Sequence, residues 1–95
     1  MSISVRDNTE QDRFEAVGDS GDVAGFVTYR RRPDDIELLH AEVDSRFEGE
    51  GVASSMVHDV LETLRDQGAR VVPSCPFVRS YIDKHTEYAD LVASR

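Results

Sequence analysis

Arg46-Phe47-Glu48-Gly49-Glu50-Gly51-Val52-Ala53 stands between an apolar extended stretch and an amphipathic helical one. The residues before it, Ile36-Glu37-Leu38-Leu39-His40-Ala41-Glu42-Val43, read as a strand. Those after it put Val52, Met56, Val57, Val60, Leu61 and Leu64 on one helical face. Strand, glycine-containing loop and helix start together aim free backbone N–H groups and the positive end of a helix dipole at one point. Such a point attracts phosphate, and glycines let a pyrophosphate lie close against the backbone. Ser54, in the first helical turn, offers a hydroxyl to the same place.

Working outward, Phe14-Glu15-Ala16-Val17 and Val23 to Tyr29 read as two strands joined by the turn Gly18-Asp19-Ser20-Gly21-Asp22. Arg31-Arg32-Pro33-Asp34-Asp35 is a second turn, so three consecutive strands are antiparallel. A weaker strand near Ile3-Ser4-Val5-Arg6 would pair at the edge. The strand over 35–43 is apolar on both faces, with Ile36 and Leu38 on one and Leu39, Ala41 and Val43 on the other. Strict alternation carries the first face on into His40 and Glu42 and suits a central, covered strand. The main helix runs from about Gly51 to Gln67 and stops at Gly68. Ala69 to Pro73 is then a short strand whose ladder Pro73 ends, parallel to the one before the helix. Pro76 opens a last helix on which Phe77, Val78, Tyr81, Ile82 and His85 repeat at helical spacing, with His85 to Tyr88 ending it. Ala89 to Val92 packs as a tail on the body. With no repeat, linker or low-complexity run, residues 1–95 read as one domain.

Charged residues make up 32% and hydrophobic ones 39%, a composition that builds a folded core instead of a disordered chain. The formal net charge of −8 argues against nucleic acid, which needs a basic face. It also means that a phosphate-bearing ligand must be drawn by local N–H groups against the field of the whole chain. No apolar stretch reaches the roughly 20 residues that span a bilayer, and Met1 to Asn8 lacks the apolar core of a secretory signal. A single cysteine forms no intramolecular disulfide, which makes a reducing cytoplasm the expected location.

His40 and Glu42, two titratable groups at i and i+2, form the candidate acid–base pair. The alternative is a half-buried polar strand end satisfied by hydrogen bonds. Cys75, between Ser74 and Pro76, falls at the N-cap of the last helix, where N–H groups and the dipole favour thiolate. The alternative there is a small buried hydrophobe. His58 and His85 read as surface or capping residues, Arg30-Arg31-Arg32 as a solvated hairpin tip, and Arg46 as solvated, with a phosphate clamp as the alternative. Three dispersed histidines and one cysteine give no zinc spacing.

Taken together, His40-Ala41-Glu42-Val43-Asp44, the Gly-x-Gly-Val-Ala loop and Pro73-x-Cys75-Pro76-Phe77-Val78-x-x-Tyr81-Ile82-x-x-His85-x-Glu87-Tyr88 resemble the small, single-domain members of the GNAT superfamily of N-acetyltransferases. The resemblance covers roughly Gly25 to Tyr88. It implies a minimal GNAT-like α/β (α+β) fold, a mixed and mostly antiparallel sheet with two principal helices. It implies acetyl-coenzyme A in the splay between the strands at 35–43 and 69–72. The pyrophosphate would lie on the amides of Glu48, Gly49, Glu50, Gly51, Val52, Ala53 and Ser54, and the Val43 backbone against the pantetheine arm. Two departures stand out. Glu48 replaces the Arg or Gln that usually begins the superfamily's loop, and the elements that shape an acceptor pocket in larger members are missing. The expected function is acyl transfer from acetyl-coenzyme A to an amine of unknown identity, a small molecule or a protein. His40 or Glu42 would take the amine proton, or Cys75 would carry the acetyl group first. The alternative function is a non-catalytic acyl-coenzyme A binding module.

Overall fold

The computed structural model describes residues 2–93. A five-stranded sheet runs in the order β1 (Ile3–Asn8), β2 (Arg13–Gly18), β3 (Val23–Arg31), β4 (Ile36–Val43) and β5 (Val71–Pro73). β1 to β4 are antiparallel neighbours, as short turns dictate, and β5 is parallel to β4. The connection between that last pair is α1 (Val52–Asp66), and α2 (Pro76–Lys84) follows β5. The mixed α/β architecture is the one expected.

Both helices lie on one face of the sheet and share one core with it. Phe14 and Ala16 of β2, Val27 and Tyr29 of β3, and Ile36 and Leu38 of β4 meet the α1 stripe from Met56 to Leu64 and Val78 and Ile82 of α2. The α1 stripe is the one its spacing predicts. Gly25 of β3 makes the close approach possible: a Cβ there would stand 2.7 Å from the Glu42 carbonyl oxygen and 3.2 Å from Met56 Sδ.

Several boundaries differ from the sequence reading. β1 runs the full length of β2, and β3 extends through Arg31, which moves the hairpin tip to Arg32–Asp35. β5 begins at Val71 and not at Ala69. The last helix ends at Lys84, and Thr86–Leu91 form a separate 3-10 helix. The C-terminal stretch does more than pack: Val92 bridges Val71 in parallel, and Ala93 N–H donates to the Val71 carbonyl at 2.8 Å.

The larger correction concerns β4. Opposite β3 the register shifts between Thr28, which faces His40, and Tyr29, which faces Leu38. Leu39 is therefore an extra residue on β4, a β-bulge. The bulge reverses the alternation: Ile36 and Leu38 lie in the core, and beyond it Ala41 and Val43 pack against that core. His40 and Glu42 thus do not continue the Ile36–Leu38 face; they project from the opposite one. That face carries no helix among the described residues, so β4 is covered on one side only.

One buried charge lies on the bare face. Glu15, 2% exposed, alternates with the core residues Phe14 and Ala16 and points away from them. Arg6, Asn8 and Arg13 donate to its carboxylate at 2.8 to 3.0 Å. Burial pushes its pKa up, but these three donors outweigh burial and hold it below the ordinary carboxylate value.

Candidate functional site

β4 and β5 pair only over Ile36–Leu38 and Val71–Pro73. Pro73 has no N–H, so the ladder stops there. One further bond, from Cys75 N–H to the Leu38 carbonyl at 2.9 Å, ties the departing chain to β4. Beyond it, Leu39 to Val43 have a strand on their β3 side only. The sheet splits at that point, the expected splay.

The loop that follows β4 is pinned at its start. Asp44 N–H donates to the Ala24 carbonyl at 2.8 Å, and the Asp44 carboxylate caps the 3-10 helix Ser45–Phe47 by accepting from Arg46 N–H. The Arg46 guanidinium reaches both Asp44 oxygens at 3.2 Å. This pairing, together with the Arg46 N–H bond, holds the Asp44 carboxyl below its usual range and raises the Arg46 guanidinium. Gly49 and Gly51 then turn the chain into α1 with φ of +83° and +74°. A Cβ at either position would meet nothing within 4 Å. Glycine is needed there for its left-handed backbone, a reason the sequence reading did not give.

Gly51 caps α1 with no side-chain bond, and no acidic residue occupies the first turn. Ser55 N–H is the first to bond back, to the Gly51 carbonyl at 3.2 Å. The N–H groups of Val52, Ala53 and Ser54 have no partner among the described residues, as at any uncapped helix start. They open on a cleft of about 210 Å³. Its walls are the end of β4 at Val43, the loop at Glu48, Gly49 and Gly51, and the first turn of α1 through Ser54. The structure thus brings the expected cofactor residues together, apart from Glu50, which does not line the cleft.

Two lining residues were missed by sequence reasoning, Phe47 and Phe77. Phe77 is 41% exposed, the one large hydrophobic exposed among the described residues, and so is not part of the buried helical stripe. The signal was available in the phase of α2. Val78 and Ile82 define its core stripe, and Phe77 falls about 100° from Val78.

The candidate catalytic groups are not gathered at one point. His40 Nε2 lies 3.2 Å from Glu42 Oε1, and both side chains are about three-fifths exposed on the bare face. Cys75 is the N-cap of α2, as expected, but its side chain makes no capping bond and is 3% exposed within the core on the helix side. The acid–base pair and the thiol occupy opposite faces of the sheet at the split. No group of three His, Cys, Asp or Glu suited to a metal ion occurs among the described residues. No helix among them is long and apolar enough to cross a membrane.

A mixed sheet split beside a parallel strand, with a glycine loop and bare helix N-terminus at the opening, is an architecture the chain shares with a solved structure. The NMR solution structure of a GCN5-like candidate N-acetyltransferase from Staphylococcus aureus superposes with a TM-score of 0.70. It is 23% identical in sequence, and the match covers 100% of this chain and 93% of that one. No curated protein matches the chain. Residues 13–91 match the family model for GCN5-related N-acetyl-transferase, and the chain belongs to that family.

Proposed function

We propose that the chain transfers an acetyl group from acetyl-coenzyme A to an amine. The observation that carries this reading is the cleft beyond the split of β4 from β5, where three N–H groups unpartnered among the described residues meet a loop with glycine at 49 and 51. The donor set fits a pyrophosphate: backbone N–H groups, the Ser54 hydroxyl, and glycines at the bend. Phe47 and Phe77 give the pantetheine arm apolar walls. Glu48 is the one lining group that opposes phosphate.

When bound, acetyl-coenzyme A supplies a thioester carbonyl and a thiolate leaving group. The Val52 to Ser54 amides hold the pyrophosphate, and the free edge of β4 near Val43 orients the arm and polarises the carbonyl. His40, held by Glu42, accepts the proton that the amine sheds as its nitrogen bonds to the carbonyl carbon. The exposure of this pair on a bare face suits a bulky acceptor such as the lysine of a protein.

A second reading is favoured by the position of Cys75 at a helix N-terminus beside the split. Its thiol would give its proton to the departing coenzyme thiolate as the sulfur takes the acetyl group, and the amine would then displace the Cys75 thiolate, which accepts the proton that the amine sheds. Mass spectrometry of the protein with acetyl-coenzyme A and a panel of primary amines and lysine peptides tests both. Acetylated amine with no protein adduct supports direct transfer. A hydroxylamine-labile adduct lost in Cys75→Ala supports the covalent route. Cofactor binding with neither product leaves an acyl-coenzyme A binding module. No binding at all overturns the reading.

A further inference from the structure

A second and larger cleft, of about 450 Å³, adjoins the first at Ser54, which lines both. Ser55, His58 and Asp59 continue it along α1, and Ser2 and Ile3 at the start of the chain and Tyr81 of α2 complete its lining. The Tyr81 ring stacks on His85 with centroids 4.0 Å apart and 21° between planes, a fixed aromatic platform. A dinucleotide-like ligand whose pyrophosphate lies on the α1 amides, with its thiol arm toward β4, has this cleft for its base and ribose. An aromatic platform suits a base.

The charges suit less than the whole of coenzyme A, which carries a third phosphate on its ribose. Among the described residues neither cleft is lined by Lys or Arg, while Glu48 and Asp59 each contribute a carboxylate. His58 Nδ1 already lies 3.0 Å from Asp59 Oδ1. Arg46 stands over the Phe47 ring at 5.2 Å, but Asp44 takes its guanidinium at 3.2 Å and Asp22 lies 3.9 Å away. Amides and hydroxyls are enough for the pyrophosphate, and none of the described residues lining these clefts is a Lys or Arg that would answer a 3′-phosphate.

We infer that this site reads its acyl donor through the pantetheine arm, the pyrophosphate and the base, and does not read the ribose 3′-phosphate. Dephospho-coenzyme A thioesters then serve it as well as coenzyme A thioesters do. This rests on the donor reading proposed above.

The test is calorimetric titration of the full chain with coenzyme A and with dephospho-coenzyme A, at low salt and at about 0.15 M. The two affinities are expected to agree within about threefold, with dephospho-coenzyme A the tighter at low salt and the gap closing as salt screens. A charge-assisted bond to the 3′-phosphate would make its loss cost about tenfold or more. Dephospho-coenzyme A binding ten times more weakly, with coenzyme A bound, overturns the inference and leaves the donor reading intact. Binding of neither overturns both. Asp59→Arg supplies the missing cation and is expected to favour coenzyme A over dephospho-coenzyme A by several-fold. An unchanged ratio in that variant, with both ligands still bound, shows that the nucleoside end lies elsewhere and overturns the inference.

Discussion

The Cys75 N–H donates to the Leu38 carbonyl at 2.9 Å, where β4 and the chain leaving β5 part company. The bond fixes the N-cap of α2 to the rim of the split, yet the sulfur itself lies within the core, 3% exposed. A thiol so covered reacts slowly with alkylating reagents unless the split opens. In Cys75→Ala the backbone bond survives and only a small buried group is lost, so the cost should be about 1–2 kcal/mol. Urea unfolding at unchanged m-value measures it. If the cofactor draws the two walls apart, coenzyme A should speed alkylation of Cys75. If it covers the sulfur further, alkylation should slow, and direct transfer gains support.

Glu48 places a carboxylate at the cleft proposed to receive the pyrophosphate. A like charge several ångströms away at a partly open site costs about 1 kcal/mol and less as salt is added. Glu48→Gln should tighten coenzyme A several-fold at low ionic strength, with a smaller gain at high. Unchanged affinity would mean that the carboxylate turns away from the phosphates.

How much of this was legible depends on which residue carried the signal. The α1 stripe, the Gly49–Gly51 loop and the Pro73–Pro76 corner are local patterns, and local patterns survive into the fold. The bulge at Leu39 is not local. It exists because Tyr29 pairs with Leu38 and Thr28 with His40, a register set across two strands. Strict alternation along Ile36 to Val43 therefore reads the faces of His40, Ala41, Glu42 and Val43, all beyond the bulge, wrongly. The burial of Cys75 was hidden for a related reason. Its capping position follows from Pro76, but whether its sulfur faces solvent or core depends on α1 and the sheet, which meet it only in three dimensions.

Gly25 tests the close contact that β3 makes with β4 and with Met56 of α1. Its backbone needs no left-handed conformation, so the penalty for alanine is steric alone: 2.7 Å to the Glu42 carbonyl oxygen, which a backbone atom cannot readily yield. Gly25→Ala should destabilise by about 1–3 kcal/mol, the usual cost of overpacking. For a domain of this size that lowers Tm by about 4–8 °C per kcal/mol. The strain falls on Glu42 and Val43, so coenzyme A affinity should fall as well. Scanning calorimetry and titration of the same variant check both halves, and a variant as stable as the parent would show that β4 moves aside freely.

Glu15 gives the fold an acid-sensitive point far from the cleft. Its folded pKa lies below the ordinary value of 4.5, because bonds from Asn8, Arg13 and Arg6 outweigh the burial that raises it. A carboxylate with a depressed folded pKa is protonated first in the unfolded chain, so stability rises with pH through this range. Its contribution is complete above about pH 4.5 and is lost as pH falls through the lower, folded value. Glu15→Gln keeps the shape and removes the charge. Arg6 and Arg13 retain access to water, with side chains 59% and 25% exposed, so the cost should stay at about 1–2 kcal/mol at pH 7. The decisive measurement is the difference in unfolding free energy between parent and variant against pH. That difference should be flat from pH 7 to about 5 and shrink below about 4.5 as the parent loses its carboxylate. A difference that stayed constant down to pH 3 would mean that the three hydrogen bonds, and not the charge, make Glu15 worth burying.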